Sequence, residues 1–130
     1  MIDKRVALNL DNMKRAAQDA ISFTEGVTES QFRESLQHQR ACAMCLILVG
    51  EAASRIEQRS PDFIAEHPDW PWNNIRGLRN RIAHDYFSLD VPIIWAIIKD
   101  SLPSLLSKIE GIGELDPRLW PKEEPPHTAT

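Results

Sequence analysis

A short cationic segment in the second half of the sequence carries the side chains best suited to chemistry. Arg76, Arg79 and Arg81 lie close together with no acidic residue among them, and His84 follows. Guanidinium groups hold phosphates and stabilise charge that builds on phosphate oxygens, while imidazole transfers protons near neutral pH. This combination suits RNA cleavage, in which a base takes the proton of a ribose 2′-hydroxyl and the freed oxygen attacks its own phosphate without a metal ion. Asn80 could fix the phosphate through its amide.

Helical spacing distributes these side chains over two faces. Arg76, Asn80 and His84 follow one another at steps of four residues and share one face of a helix. Arg79 lies five residues before His84, which is about 140° around an ideal helix. A second copy of the helix would bring these two groups together more easily than one copy alone. The spacing therefore favours a composite site in a homodimer.

The same residues also fit a simpler interpretation. A basic helix that ends in histidine and tyrosine is typical of a solvated surface whose C-terminal charges complement the helix dipole. On charge and periodicity alone, this interpretation outweighs catalysis. Glu51 presents a similar choice between a site residue, a partner contact and a member of a structural ion pair.

Composition predicts a single globular domain. The chain has 130 residues, of which 42% are apolar and 26% charged, enough to bury one hydrophobic core. The net charge of -4 argues against a protein that coats nucleic acid with a broad basic face, but not against an enzyme that grips a few phosphates. No apolar run approaches the ~20 residues of a membrane span, and the charged N-terminus is unlike a signal peptide. A cytoplasmic protein without membrane contact is expected.

Two cysteines raise the question of a metal or redox site. Cys42 and Cys45 have the spacing of a zinc half-site, but no second Cys/His pair with ligand spacing accompanies them. They lie in an apolar run, residues 42–49, and free cysteine often behaves as a small buried hydrophobe. The sequence favours a core role for both thiols, and neither a metal nor a cofactor is expected.

Apolar periodicity predicts helices and no strands. A capping box at Thr28 and Gln31, proline after Ser60, and Asp90 as an N-cap mark three of the helix starts. Pro103 predicts a kink or break in the last helix. The predicted helices span approximately residues 2–24, 28–58, 61–66, 72–87 and 90–111.

These elements predict an all-α fold, an antiparallel helical bundle of four main helices plus one short extra helix. Residues 42–49 are apolar all round, which predicts that neighbouring helices or a second subunit enclose the centre of the second helix. The helical domain should occupy residues 1–112. Residues 113–130, which hold four of the nine prolines, are expected to form an extended Pro-rich C-terminal tail.

The cationic segment resembles a known signature. Residues 79–86 read Arg-Asn-Arg-Ile-Ala-His-Asp-Tyr, similar to the Arg-x4-His-x-Tyr motif of the HepT toxins in the HEPN superfamily. Residues 50–53, Gly-Glu-Ala-Ala, resemble that family's Gly-Glu-Ala segment. Pro71-Trp72 before the motif, and Asp90 and Trp95 after it, also fit the family. The resemblance covers roughly residues 2–112.

The resemblance implies a HEPN-like fold and a metal-independent ribonuclease whose active site forms at a homodimer interface. Arg79 and His84 would be catalytic, and Asn80 is the polar residue that commonly follows the motif arginine. With Arg76 and Arg81 nearby, the segment would bind the phosphates of an RNA substrate.

The resemblance also implies a toxin of a type VII-like toxin–antitoxin system. Its partner would be an MntA-like nucleotidyltransferase antitoxin, which neutralises the toxin by transferring AMP from ATP to Tyr86, the only tyrosine in the chain. A bulky anion two residues from His84 would block the site and repel an RNA phosphate.

One alternative is a non-catalytic nucleotide-binding or adaptor subunit of a nucleotidyltransferase complex, in which the arginines grip phosphates. The intact pair of Arg79 and His84 favours the ribonuclease, because an adaptor does not need a proton-transfer group. A metal enzyme is disfavoured, because carboxylates with ligand spacing do not converge on the motif.

Overall fold

The computed structural model describes residues 2–84 and 87–112, and within them all regular structure is helical. This confirms the predicted all-α class. Residues 113–130, the predicted tail, and the motif residue Tyr86 lie outside the described residues. In chain order the elements are α1 (Lys4–Phe23), α2 (Glu29–Glu34), α3 (Leu36–Arg59), α4 (Pro61–Glu66), α5 (Trp72–His84), α6 (Val91–Ala96), a π-helical segment (Ile97–Ser101) and α7 (Leu102–Glu110).

Helix α3 forms the centre of the bundle and packs against α1 on one side and α5 on another. Its inner faces carry Cys42, Leu46 and Val49, none of which is accessible to solvent. The predicted enclosure of residues 42–49 is only partial in a single chain. Met44 and Leu48 are 56% and 50% exposed because they lie on the face that neither α1 nor α5 covers.

The predicted helix over residues 28–58 is in fact two helices that meet at Ser35. The capping box at Thr28 is confirmed and starts α2. Ser35 then adopts an extended conformation, and its hydroxyl accepts the His38 backbone N–H at 3.2 Å, which starts α3. The Gln39 amide donates to the carbonyls of Phe32 and Arg33, both at 2.9 Å. These bonds satisfy the end of α2 and stabilise the break.

Pro103 changes the hydrogen bonding of the last helix without ending it. Because proline lacks an N–H, the regular α-helical ladder cannot pass through this position. The chain instead forms the π-helical segment, in which the Leu102 N–H bonds to the Ile97 carbonyl five residues earlier, and Pro103 falls in the first turn of α7. The predicted break is therefore a local widening of one continuous helical run.

A polar anchor joins this last helical run to the end of α1. The Lys99 ammonium group donates to the Thr24 carbonyl at 3.2 Å and lies 3.1 Å from the Thr24 hydroxyl. It also lies 4.6 Å from the centre of the Trp95 ring, a cation–π contact. Lys99 thus satisfies backbone at the C-terminus of α1 and holds the last helix beside it.

Candidate functional site

The cationic helix α5 touches α3 through backbone at Gly50. A Cβ atom built on Gly50 would lie 2.9 Å from the Ile75 carbonyl oxygen and 3.1 Å from the Arg79 amide nitrogen. The first distance is shorter than a Cβ atom tolerates and the second is tighter than usual, so glycine is the residue that permits the approach. The contact places the backbone of Arg79 directly against α3.

Arg79 forms an ion pair with Glu51, the residue that follows this contact. The Arg79 Nη1 atom lies 2.9 Å from Glu51 Oε2. Within the described residues, Oε2 is buried and completes no hydrogen bond, so the Arg79 N–H group is not aligned with it. The contact is therefore chiefly a charge interaction. Arg79 keeps 57% of its side chain exposed, whereas Glu51 is only 32% exposed.

A second arginine reaches the same carboxylate. Arg55, one turn further along α3, places its Nε atom 3.6 Å from Glu51 Oε1. The carboxylate of Glu51 thus lies between two guanidinium groups, one from α3 and one from α5. Glu51 was a candidate from the sequence, whereas Arg55 was not predicted. The spacing of four residues between them was the signal that could have revealed it.

Arg76 is held by contacts along the boundary between α3 and α5. Its guanidinium pairs with Glu57 and donates to the side-chain oxygen of Asn73. Its Nε atom also donates to the Trp72 carbonyl at 3.3 Å. Three acceptors therefore hold this side chain, which distinguishes it from the more exposed Arg79.

The remaining motif residues lie on the outer surface of α5. Asn80, Arg81 and His84 are exposed, and His84 is the last residue of the helix. Since α5 is a regular α-helix, the side chain of His84 projects about 140° away from that of Arg79. Within the described part of the chain, Arg79 and His84 share no hydrogen bond or ion pair. One copy therefore does not assemble the two groups predicted to be catalytic.

Arg81 faces a different neighbour from Arg79. It borders a groove of about 510 Å³ between α5 and the last helical run. The groove has an apolar floor that includes Leu78 and Ile97, and Asn74 and Lys108 also line it. The three arginines of the cationic segment, Arg76, Arg79 and Arg81, thus lie in separate environments. Of these three, only Arg79 contacts Glu51.

The exposed apolar pair Met44 and Leu48 lies near the site. Helices α3 and α5 run antiparallel, because Glu57 pairs with Arg76 whereas the earlier Glu51 pairs with the later Arg79. Positions 44 and 48, which precede Glu51 on α3, therefore lie toward the end of α5 that carries His84. Large exposed apolar side chains beside polar residues are typical of a protein-binding surface.

The two cysteines are core residues, as predicted. Cys42 and Cys45 are both buried, and burial is the main cause that raises the pKa of each thiol to about 11. In residues 2–84 and 87–112, no group of three or more metal-ligating side chains is found. None of the helices in these ranges is long and apolar enough to cross a membrane.

Comparison with known proteins supports the resemblance of the motif. Residues 13–112 match the family described as Ribonuclease HepT-like. The chain is 34% identical over 103 residues to a Methanocaldococcus jannaschii protein named as an RNase, an alignment that covers 79% of each chain. A second RNase-named protein of that organism is 30% identical over 110 residues, 85% of this chain and 98% of the relative.

A third relative carries the family name itself. The Thermococcus cleftensis protein named probable ribonuclease HepT is 31% identical over 103 residues, 79% of this chain and 91% of its own length. No solved structure gives a significant match. The family match spans most of the helical domain, including the Gly50 contact and the segment from Arg76 to His84. This chain belongs to the Ribonuclease HepT-like family of the HEPN superfamily.

Proposed function

We propose that this protein is an endoribonuclease toxin that cleaves RNA without a metal ion. The observation that carries the proposal is that α5 holds both Arg79 and His84 with their side chains at the surface. Both side chains are exposed, and the Gly50 contact and the Glu51 ion pair fix the position of Arg79. Membership of a family named for ribonuclease activity supports the same chemistry.

In this mechanism the chain supplies one base and several cations. The neutral imidazole of His84 takes the proton of a ribose 2′-hydroxyl, and the oxygen attacks the adjacent phosphorus. The bond to the 5′-oxygen breaks, this oxygen takes a proton from water, and the His84 imidazolium returns its proton to solvent, which leaves a 2′,3′-cyclic phosphate and a 5′-hydroxyl end. Arg79 stabilises the charge that develops on the phosphate oxygens. Asn80, Arg81 and Arg76 bind neighbouring phosphates. Arg76 contributes least, because Glu57 and the Trp72 carbonyl already accept from its guanidinium group.

The active site is proposed to be composite and to form between two copies of the chain. Arg79 and His84 project in directions about 140° apart on one helix, so His84 of one copy can complete the site around Arg79 of the other. Met44 and Leu48 provide apolar area for this contact near the end of α5 that carries His84. The two side chains lie one helical turn apart on α3 and so form a contiguous apolar patch, which is the kind of surface that supports an interface.

Control of the toxin is proposed to act at Tyr86, two residues after His84. A nucleotidyltransferase antitoxin transfers AMP from ATP to the tyrosine oxygen, forming a phosphoester bond and releasing pyrophosphate. The modification adds a bulky anion to a segment that must otherwise attract RNA phosphates. The motif spacing and the family match support this proposal.

The test is cleavage of total RNA by purified protein in EDTA, with His84→Ala and Tyr86→Phe as variants. We expect the native protein and Tyr86→Phe to cut, and His84→Ala to be at least about 10²-fold slower because the general base is lost. Intact mass measured with ATP and the partner nucleotidyltransferase should rise by one AMP in the native protein and not in Tyr86→Phe. An unmodified native protein as inert as His84→Ala would contradict the ribonuclease and favour the adaptor.

A further inference from the structure

Glu51 brings together two arginines from different helices, and only one of them belongs to the motif. Arg79 of α5 lies 2.9 Å from one carboxylate oxygen, and Arg55 of α3 lies 3.6 Å from the other. About half of each arginine side chain is exposed. Their guanidinium groups therefore meet at one carboxylate while remaining open to solvent.

The charges and donors at this cluster suit a phosphate. One carboxylate between two guanidinium groups leaves one net positive charge. The Arg79 contact with Glu51 Oε2 is not an aligned hydrogen bond, so it leaves the N–H groups of Arg79 available to an incoming anion. Guanidinium groups bind phosphate oxygens through paired N–H donors.

We propose that Arg55 and Arg79 form a clamp for one RNA phosphate and that Glu51 is the positioning residue that holds the clamp. Arg55 is then a phosphate-binding residue outside the motif. Glu51 does not touch the RNA; it fixes where the two guanidinium groups lie. The inference rests on the proposed function, since it names a further part of the same RNA site.

The chain contains a matched control for Arg55. Arg33 forms an ion pair with Glu29 at 3.7 Å, also four residues apart on a helix, and its side chain is likewise more than half exposed. That pair lies on α2 and contains neither Arg55 nor Arg79. Arg33→Gln thus removes the same type of charge and ion pair without touching the clamp.

The first experiment measures binding of a single-stranded 2′-O-methyl RNA, which lacks the attacking hydroxyl and cannot be cut. Its dissociation constant is determined at several salt concentrations by fluorescence anisotropy. Arg55→Gln should weaken binding about three- to tenfold and lower the slope of log affinity against log salt by roughly 0.7, the share of one phosphate contact. Arg33→Gln should match the native protein. Equal effects of the two variants would overturn the role of Arg55.

The second experiment separates the charge of Glu51 from its positioning role. Glu51→Gln removes a negative charge near the phosphate but keeps an oxygen for the arginines, so RNA should bind about three- to tenfold more tightly. Glu51→Ala releases both guanidinium groups and should lower kcat by about ten- to a hundredfold. If Glu51→Ala tightens RNA binding and keeps kcat, the residue is only a competing charge and the positioning role is wrong.

The two experiments distinguish failure of the clamp from failure of the proposed function. A native protein that binds RNA but does not cut it in EDTA contradicts the ribonuclease, while the binding experiment still decides the role of Arg55. A native protein that cuts RNA, with Arg55→Gln and both Glu51 variants unchanged, contradicts the clamp alone. Circular dichroism of each variant identifies any loss of folding, and a folded Arg55→Gln variant suffices for the decision.

Discussion

Replacing Gly50 by alanine would push a methyl group against the backbone of α5. The new carbon would lie 2.9 Å from the Ile75 carbonyl oxygen and 3.1 Å from the Arg79 nitrogen. Both neighbours are main-chain atoms of a helix, so neither can rotate away as the end of a long side chain could. The whole of α5 must recede, by about half an ångström, to restore an ordinary contact.

The expected loss of stability follows from two opposing effects. Overpacking of a well-filled site costs about 1–3 kcal/mol. Alanine in place of glycine inside a helix returns about 0.5–1 kcal/mol. The net change in the free energy of unfolding should therefore be a loss of about 0–2.5 kcal/mol, and a mid-range loss lowers the unfolding midpoint of a chain of this size by roughly 4–6 °C. Displacement of Arg79 should also slow RNA cleavage by about ten- to a hundredfold.

A second glycine provides the matched control. Gly77 also lies inside a helix, but a Cβ atom built there would meet no other part of residues 2–84 and 87–112 within 4 Å. Gly77→Ala should therefore raise the free energy of unfolding by about 0.5–1 kcal/mol. Urea and thermal unfolding give the free energy of unfolding of both variants, and so compare the same added methyl group at a tight contact and at an open position. If Gly50→Ala is as stabilising as Gly77→Ala, the close contact between α3 and α5 does not exist as described.

Three further predictions concern the interface, the arginines and a buried carboxyl. Leu48→Lys should yield monomers by sedimentation and abolish RNA cleavage, whereas Leu36→Lys, an exposed position on the same helix, should preserve both. Arg76→Gln should weaken RNA binding less than Arg79→Gln does, because other acceptors already hold Arg76; an equal loss would contradict this. Burial is the largest influence on the Asp11 carboxyl and raises its pKa above 3.8 despite a neighbouring arginine. Above its pKa in the folded protein, the carboxyl is ionised and its burial costs stability. Asp11→Asn removes this cost, so the variant should keep or raise the thermal midpoint at pH 7. The gain in midpoint should vanish as the pH falls through the folded pKa toward 3.8. A markedly lower midpoint at pH 7 would show that the ion pair outweighs the burial.

Helix ends were predictable where a local side chain determines them. Ser60 followed by proline gave the start of α4, which spans Pro61–Glu66 as predicted. Asp90 accepts the Ile93 backbone N–H at 3.2 Å and caps α6, also as predicted. Such caps depend on residues within one turn of the chain, so the sequence contains the whole interaction.

The break at Ser35 was missed because apolar periodicity continues across it. The decisive contacts come from Gln39, whose amide donates to the carbonyls of residues seven and six positions earlier, at the end of α2. A glutamine in a helical pattern gives no sign of this role by its type or spacing. The π-helical form of the Pro103 break likewise depends on how the last helix continues, which the proline alone does not specify.

The candidate site was predictable in its residue types but not in its contacts. Arg79 and His84 followed from spacing and from resemblance to a family. The pairing of Glu51 with Arg79 depends on where α3 and α5 touch, and the small size of Gly50 sets that point. The exposure of Met44 within an apolar run could not be predicted from the sequence either, because it depends on which faces of α3 the neighbouring helices cover.

The buried thiols have a practical consequence for experiments on this protein. With pKa values near 11, Cys42 and Cys45 present almost no thiolate at neutral pH, and the thiolate is the form that reacts with maleimides. A single cysteine introduced at an exposed position outside the proposed interface, such as Leu36, would therefore take a fluorophore or spin label selectively in the native sequence. Distances between copies, or from a copy to bound RNA, can then be measured without first replacing Cys42 and Cys45.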